Sequence, residues 1–212
     1  MDSLVLDKAV VLTGRDLKIG ELVRVARDGA RVETAGAVAG AVEASREALM
    51  RKLGRQEIIY GVSTGFGANV KYFIPPSELK ALQENVLHSL CCGVGPELDP
   101  AVVRGAMLLR ANALSKGYSA VRPIVIERLA QMLNAGVTPV VPRYGSVGAS
   151  GDLVPSAHIA SALMGEAARQ AHKRQRGAGR GGRRADPAGS EGGPRARQRH
   201  HGDDQRRRAD AP

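Results

Sequence analysis

The last fifth of the sequence limits what the chain can fold into. Residues 171–212 contain no Val, Ile, Leu, Met, Phe, Tyr or Cys. Such a segment cannot bury enough apolar surface to offset the entropy of ordering its backbone. The sequence therefore predicts a folded domain over residues 1–168 and a disordered Arg/Gly-rich tail over 169–212. Because aromatic residues make up only 3% of the protein and Trp is absent, the core must be built from Ala, Val, Leu and Ile.

Positive charge is concentrated in the tail. The formal net charge is +10, and residues 171–212 carry 12 Lys and Arg against 5 Asp and Glu, which leaves +3 for residues 1–170. This distribution excludes a nucleic-acid binder that uses the whole chain. No apolar run reaches the roughly 18 residues of a membrane span, and residues 1–7 lack the pattern of a secretory signal. We therefore expect a cytoplasmic protein without membrane contact.

The two cysteines are adjacent, at positions 91 and 92. A disulfide between neighbouring residues is strained, so the pair excludes a disulfide scaffold. We interpret Cys91 and Cys92 as small, buried, apolar side chains on a helix.

Helical runs separated by Gly and Pro predict a mainly α fold for residues 1–168. Ser77 is the expected N-cap of the third helix, and Asp99 and Pro100 are the expected cap and first turn of the fourth. An extended run over 137–142 is expected to lead into a Gly-rich segment. The predicted helices cover residues 16–28, 32–53, 77–92, 99–116, 122–134 and 152–168.

The Gly-rich segment 145–152, GSVGASGD, is the most informative stretch for chemistry. One interpretation is a loop that binds an anion at the start of the following helix, and another is a plain linker. A third is an internal electrophile: the amide nitrogen of Gly151 attacks the carbonyl carbon of Ala149, and Ser150 loses its hydroxyl as water. The product is an imidazolone ring with an exocyclic methylidene. Asp152 is expected to polarise this site and to cap the helix.

The segment GSVGASGDLVPSAH over residues 145–158 resembles the motif of the histidine, phenylalanine and tyrosine ammonia-lyases and related aminomutases. Two other segments agree in order and spacing, YGVSTGFG over 60–67 and RANALSKGYSAVRP over 110–123. The resemblance covers about residues 4–168. It implies the N-terminal part of the histidase/phenylalanine ammonia-lyase-like helical fold, in enzymes that are carbon–nitrogen lyases or 2,3-aminomutases.

The resemblance also implies roles for individual residues. Ala149, Ser150 and Gly151 would form the 4-methylideneimidazole-5-one (MIO) group, the family's self-derived cofactor. Tyr60 would be the base that removes a proton from the substrate β-carbon, and Gly67 would lie near the substrate amine or carboxylate. The substrate would be an L-amino acid, and a full-length family member is expected to be a homotetramer. No metal and no diffusible cofactor are expected, because no His/Cys/Asp cluster has metal-ligand spacing.

Substrate choice is partly encoded in the segment LQENVLHSLCCG over 82–93. Ser89 and Leu90 match the selectivity pair of the family, and histidine lyases tend to carry His at the second position. Leu90 therefore favours an apolar aromatic substrate over histidine, although Ser89 departs from the patterns of all three substrate classes. We interpret His88 as structural or exposed. His158 is expected to pack or to form a local hydrogen bond.

The tail allows two interpretations. It is either a basic arm that binds nucleic acid or an acidic partner, or the product of a reading-frame shift between about residues 165 and 176. The lack of aromatic residues in the arm argues against nucleic acid as its partner. Codon choices for residues 190–201 exist that, shifted by one nucleotide, encode AKEGLALVNGTT, which resembles the family's Asn-Gly-Thr segment. Under the second interpretation we expect a truncated, weakly folded and inactive polypeptide. A non-catalytic fragment or basic-tailed binding protein is the alternative to the enzyme.

Overall fold

A computed structural model of the protein describes residues 8–148 and 151–166, together with the backbone of Ala171–Lys173. Ala149 and Ser150, two of the three residues predicted to form the electrophile, lie outside the described residues. So does almost all of the predicted tail. The described residues belong to one compact unit, Met1–Gln175.

The described part of the chain is mainly helical, as predicted. Short 3-10 turns cover Gly67–Lys71 and Pro76–Glu78, and a π-helical turn covers Arg24–Asp28. The α-helices are α1 (Ile19–Val23), α2 (Gly36–Gly54), α3 (Leu79–Leu90), α4 (Pro100–Leu114), α5 (Pro123–Asn134) and α6 (Leu153–Leu163).

Short strands form three two-stranded sheets. β1 (Val10–Leu12) pairs in parallel with β2 (Val32–Thr34). β3 (Val94–Glu97) and β5 (Pro142–Tyr144) are antiparallel. β4 (Val137–Pro139) is antiparallel to β6 (Ala171–Lys173), so three residues of the predicted tail form a strand whose pairing needs only backbone groups.

The core lies where α4 and α5 pack together over the β1–β2 pair. Buried side chains recur on α4 at Val103, Met107 and Ala111, a spacing of four residues that aligns them along one helix face. Ile126, Leu129 and Leu133 form the matching face of α5. Apart from Met107, the buried residues of this core are Ala, Val, Leu and Ile, as the composition indicated.

Three helix starts differ from the prediction. Thr13 accepts hydrogen bonds at its Oγ1 from the amides of Arg15 and Asp16, and this turn delays α1 to Ile19. Residues 32–34, predicted as the start of α2, form β2 because β1 offers them a parallel partner. Ser77 is not the N-cap of α3, since it lies within the 3-10 turn Pro76–Glu78 and Glu78 occupies the N-cap position.

The interpretation of the cysteines is wrong. α3 ends at Leu90, and Cys91 leaves the helix with φ −77° and ψ 48°. Cys91 is half-buried and Cys92 is exposed. Neither is therefore a buried helical side chain.

Candidate functional site

Tyr60 lies in a loop that is stabilised by hydrogen bonds among the loop's own polar groups. The Oγ of Ser63 accepts the amide of Ile59 at 2.8 Å and donates to the carbonyl of Glu57 at 2.9 Å. The phenolic oxygen of Tyr60 accepts the amide N–H of Gly67 at 3.1 Å. The structure thus brings together the predicted base and the predicted substrate-binding glycine. Tyr60 is 63% exposed, which leaves its ring accessible.

Helix α3 carries the predicted selectivity pair. Leu90 lines a cavity, whereas the hydroxyl of exposed Ser89 donates to the carbonyl of Val86 at 2.9 Å within the helix. At the other end of α3, the side-chain amide of Gln83 donates to the carbonyl of Gly61 at 3.1 Å. Gln83 and Leu90 are seven residues apart and share a helix face. Helix α3 is therefore bound directly to the Tyr60 loop.

The Gly-rich segment reverses direction around the predicted electrophile. Gly148 and Gly151 form an isolated antiparallel bridge, and Gly151 has φ +98°. The carboxylate of Asp152 accepts the hydroxyl of Ser146 at 2.7 Å, which closes the loop from both sides. Asp152 is the N-cap residue of α6, as expected, but its side chain makes no capping hydrogen bond and its carboxylate accepts from Ser146 instead. Val147 is almost fully exposed at 94%.

The exit of α3 touches this segment. The amide of Gly93 donates to Nε2 of His158, on α6, at 3.3 Å. A Cβ on Gly145 would lie 3.1 Å from the Cα of Gly93, so the two backbones pass in close contact. His158 does not bond locally as expected, since its partner lies 65 positions earlier in the chain. Burial lowers the pKa of His158 from its ordinary value of 6.5.

His88 is exposed, which agrees with one of the two roles expected for it, a structural or an exposed side chain. Its Nε2 lies 3.0 Å from each carboxylate oxygen of Glu166, beyond the end of α6. The hydroxyl of Ser161 lies 3.5 Å from the same carboxylate. The contact between His88 and Glu166 joins the last turn of α3 to the residues that follow α6.

A cavity of about 620 Å³ opens between α3, α4, α5 and α6. Its lining is almost wholly aliphatic, and Arg110 and Ser156 provide its polar groups. Leu109 and Leu153, which also line it, are 51% and 52% exposed. The cavity gives α3, α4 and α6 an apolar face that remains open to solvent.

Helix α3 is the element that joins the predicted site. It is bonded to the Tyr60 loop through Gln83, and its exit residue Gly93 contacts both Gly145 and His158. Among residues 8–148 and 151–166, no hydrogen bond joins the Tyr60 loop directly to the Gly-rich segment. Sequence reasoning missed Gln83, whose seven-residue spacing from Leu90 was an available signal. It also missed the Gly93–His158 contact, for which the sequence carries no local signal.

Among the described residues there is neither a candidate metal site nor a helix that could span a membrane. No three His, Cys, Asp or Glu side chains in this part of the chain are grouped so that they could hold a metal ion. Its helices are also too short or too polar to cross a membrane.

Comparison with known sequences assigns the family. The sequence model of the aromatic amino acid lyases matches residues 17–187, which is most of the chain. The chain belongs to this family, whose characterised members catalyse carbon–nitrogen bond cleavage. The match extends past residue 168, the boundary expected from composition.

Individual relatives agree with this assignment. The histidine ammonia-lyase of Geobacillus thermodenitrificans is 50% identical over 157 residues, which cover 74% of this chain and 31% of that protein. The crystal structure of tyrosine aminomutase from Streptomyces globisporus is 38% identical, with a TM-score of 0.70 over 74% of this chain and 30% of that chain. Histidine ammonia-lyase from Trypanosoma cruzi is 32% identical, with a TM-score of 0.65. The described fold is therefore the histidase/phenylalanine ammonia-lyase-like fold, and the chain spans about a third of the length of the curated relatives.

Proposed function

We propose that this chain carries the electrophile-forming part of an aromatic amino acid ammonia-lyase or 2,3-aminomutase. The observation that carries the proposal is the reversal of the backbone between Gly148 and Gly151, which flanks the sequence Ala149-Ser150 in a chain of this family. The residues present fit an MIO group. A Cβ on Gly151 would meet no heavy atom within 4 Å, so the position has room for ring closure at its amide.

The proposed ring closure uses only atoms of this chain. The amide nitrogen of Gly151 bonds to the carbonyl carbon of Ala149, and that carbonyl oxygen leaves as water together with the amide hydrogens of Gly151 and Ser150. Ser150 loses its α-proton and its hydroxyl as a second water, which creates the exocyclic double bond. The carboxylate of Asp152, the residue after Gly151, accepts the hydroxyl of Ser146 at 2.7 Å. Glycine is favoured at 151 because its φ of +98° is one that L side chains rarely adopt.

Tyr60 and Gly67 have the remaining proposed roles. Once formed, the MIO group supplies an electrophile for the amino group of the substrate. Tyr60 removes the proton from the substrate β-carbon. The amide of Gly67 fixes the phenolic oxygen of Tyr60 at 3.1 Å, and so sets the direction from which the base approaches. Gly67 also places its backbone beside the polar end of the substrate.

The substrate class follows from α3. Leu90 lines an aliphatic cavity and offers no hydrogen bond to an imidazole, so we infer a preference for phenylalanine or tyrosine over histidine. Ser89 bonds within its helix and leaves this preference to Leu90. The curated relatives are histidine ammonia-lyases, whereas solved structures of similar fold include tyrosine and phenylalanine aminomutases.

Mass spectrometry tests the electrophile. Trypsin releases residues 144–169 as one peptide, because Arg143 and Arg169 flank it. We expect this peptide to be lighter than its sequence by two water molecules. Ser150→Ala should restore the full mass, and Ser156→Ala, the matched serine on α6, should keep the deficit. A peptide of unmodified mass in the folded wild-type protein would contradict the proposal.

Elimination assays test the substrate class. The unsaturated acids formed from L-phenylalanine, L-tyrosine and L-histidine absorb in the near ultraviolet and can be followed directly. In the full-length product expected from the shifted reading frame, the two carbocyclic substrates should be favoured, and Leu90→His should move the preference towards histidine by at least about ten-fold in kcat/KM. The 212-residue polypeptide itself is expected to be inactive. Preference for histidine in the full-length product would refute the assignment of Leu90. A homotetramer is expected of that full-length product, and size-exclusion chromatography with light scattering measures it.

The coding DNA tests the frame-shift interpretation of the tail. We propose that the shift lies between about residues 165 and 176, because the shifted frame of residues 190–201 permits the family-like Asn-Gly-Thr segment. Reading all three frames from codon 160 onward is expected to reveal that segment followed by a long open frame. A shifted frame that is interrupted by stop codons would contradict the frame-shift interpretation of the tail.

A further inference from the structure

Three segments meet at the backbone of Gly93, where the chain leaves α3. A Cβ at this position would lie 2.9 Å from Nε2 of His158 and 3.1 Å from Cβ of Pro142, at the start of β5. On the other side, Gly145 approaches the Cα of Gly93 so closely that its own Cβ would lie 3.1 Å away. The exit of α3, the entrance of the Gly-rich segment and the middle of α6 are therefore in direct contact.

The antiparallel pairing of Val94 with Tyr144 begins directly beside this junction. The side-chain hydrogen bond at the junction runs from the amide of Gly93 to Nε2 of His158, at 3.3 Å. An amide can only donate, so Nε2 must carry a lone pair and the ring proton must be on Nδ1. Protonated histidine has two N–H donors and cannot make this bond. His158 is half-buried, and its burial lowers the pKa, which favours the neutral form that the bond requires.

We propose that His158 is a positioning residue: its neutral imidazole holds the exit of α3 against the Gly-rich segment, and so fixes the turn in which Gly151 would close the ring. This inference rests on the proposed function for the ring closure. The hydrogen bond itself stands on the described geometry. His158 acts through the backbone of Gly93 and touches neither the electrophile nor the substrate.

The role makes His158 different from its neighbour His88. Both side chains connect α3 with α6, but His88 does so on the surface, through Glu166 beyond the end of α6. Loss of the His88 contact leaves the Gly93–Gly145 approach intact. Loss of the His158 acceptor leaves the amide of Gly93 without its partner and releases the entrance of the Gly-rich segment.

Nuclear magnetic resonance on the full chain tests the proposal. At neutral pH the ring nitrogens of His158 should report the Nδ1–H tautomer. In His158→Leu, the amide of Gly93 should exchange with solvent roughly ten-fold faster, the factor expected for one lost hydrogen bond. His158→Gln should restore slow exchange, because its side-chain oxygen can accept from Gly93. His88→Gln, the matched control, should leave the exchange of Gly93 unchanged.

The outcomes separate the two proposals. An Nε2–H tautomer, or a failure of His158→Gln to restore protection when the variant is folded by circular dichroism, would overturn the role of His158. The mass deficit of peptide 144–169 is measured on the same samples, and it should fall in His158→Leu and recover in His158→Gln. If the wild-type peptide has no deficit, the proposed function fails, and the exchange rates alone then decide whether His158 holds the segment.

Discussion

Cys91 and Cys92 are neighbours in sequence with different surroundings. Burial raises the pKa of the Cys91 thiol, and the nearby charges of Glu166 and Cys92 raise it further, against an opposing hydrogen bond to Ser161. Cys92 is exposed. Since the thiolate is the reactive form, burial and a raised pKa both slow the reaction of Cys91.

This difference predicts selective alkylation. At pH 8, iodoacetamide should modify Cys92 at least several-fold faster than Cys91, as measured by peptide mass spectrometry over time. Cys92→Ser should leave only the slow reaction, and Cys91→Ser only the fast one. Equal rates at both positions in the folded protein would contradict the described environments.

Helix α4 begins with a side-chain cap. The carboxylate of Asp99 accepts the amide of Ala101 at 2.7 Å, and Pro100 occupies the first turn of α4. A side chain that accepts from an otherwise unpaired N-terminal amide stabilises a helix by about 1 kcal/mol. Asp99→Ala should therefore lower the free energy of unfolding by about 1 kcal/mol in urea titrations. Asp99→Ser retains an acceptor, so it should lower the free energy of unfolding by at most a few tenths of a kcal/mol.

Arg104 fastens α4 to two other elements. It is only 4% exposed, and its guanidinium donates to the carbonyls of Val25 at 2.8 Å, Ala26 at 3.2 Å and Leu133 at 3.2 Å. Lysine cannot replace this geometry, because three acceptors in different directions require the fork of a guanidinium. Arg104 therefore joins the π-helical turn and the end of α5 through one buried cation.

Removal of this cation should be costly. Arg104→Met leaves three carbonyls without that donor, and we expect the free energy of unfolding to fall by roughly 3–5 kcal/mol. Arg128→Met, an exposed arginine on α5, should change it by less than about 0.5 kcal/mol. Equal effects of the two substitutions in chemical denaturation would show that the carbonyl bonds of Arg104 contribute little.

The elements that sequence reasoning located well are those with local signals. α4 and α5 each begin at a proline and carry a regular apolar face, and both were placed to within a few residues. β2 was missed because its three residues form a strand only through a parallel partner more than twenty positions earlier. The Gly93–His158 bond was missed for the same physical reason, since a contact over 65 positions leaves no periodic trace. The Tyr60–Gly67 contact, seven positions apart, lies within one recognisable motif.

On the scale of the whole molecule, the described residues form a core around α4 and α5 and an open apolar face beside it. The core includes Leu108, Leu129 and Leu133, which are almost wholly buried. The cavity of about 620 Å³ adjoins this core, because Leu129 lines it together with half-exposed Leu109 and Leu153. The proposed site adds the contacts between α3 and α6 through His158 and His88.

Those contacts predict how stability depends on pH. The pKa of His158 is lowered by burial in the folded protein, so its contribution is fully present above about 6.5 and is lost as the pH falls below that value. The pKa of Cys91 is raised in the folded protein from 9.0, so its contribution is present below 9.0 and is lost as the pH rises further. Between these two values neither group changes its charge, and we expect a plateau in the free energy of unfolding.

Two single substitutions should each flatten the decline of the free energy of unfolding on one side of this plateau. His158→Gln has no titrating ring, so its free energy of unfolding should decline less steeply than the wild type between about pH 6.5 and 5.5. Cys91→Ser should flatten the decline above about pH 9 without changing the acid side. Urea titrations over this range measure both, with His88→Gln as the control for an exposed imidazole. An acid-side slope unchanged in His158→Gln would mean that His158 titrates equally in the folded and unfolded chains, and that it is not held as a neutral acceptor.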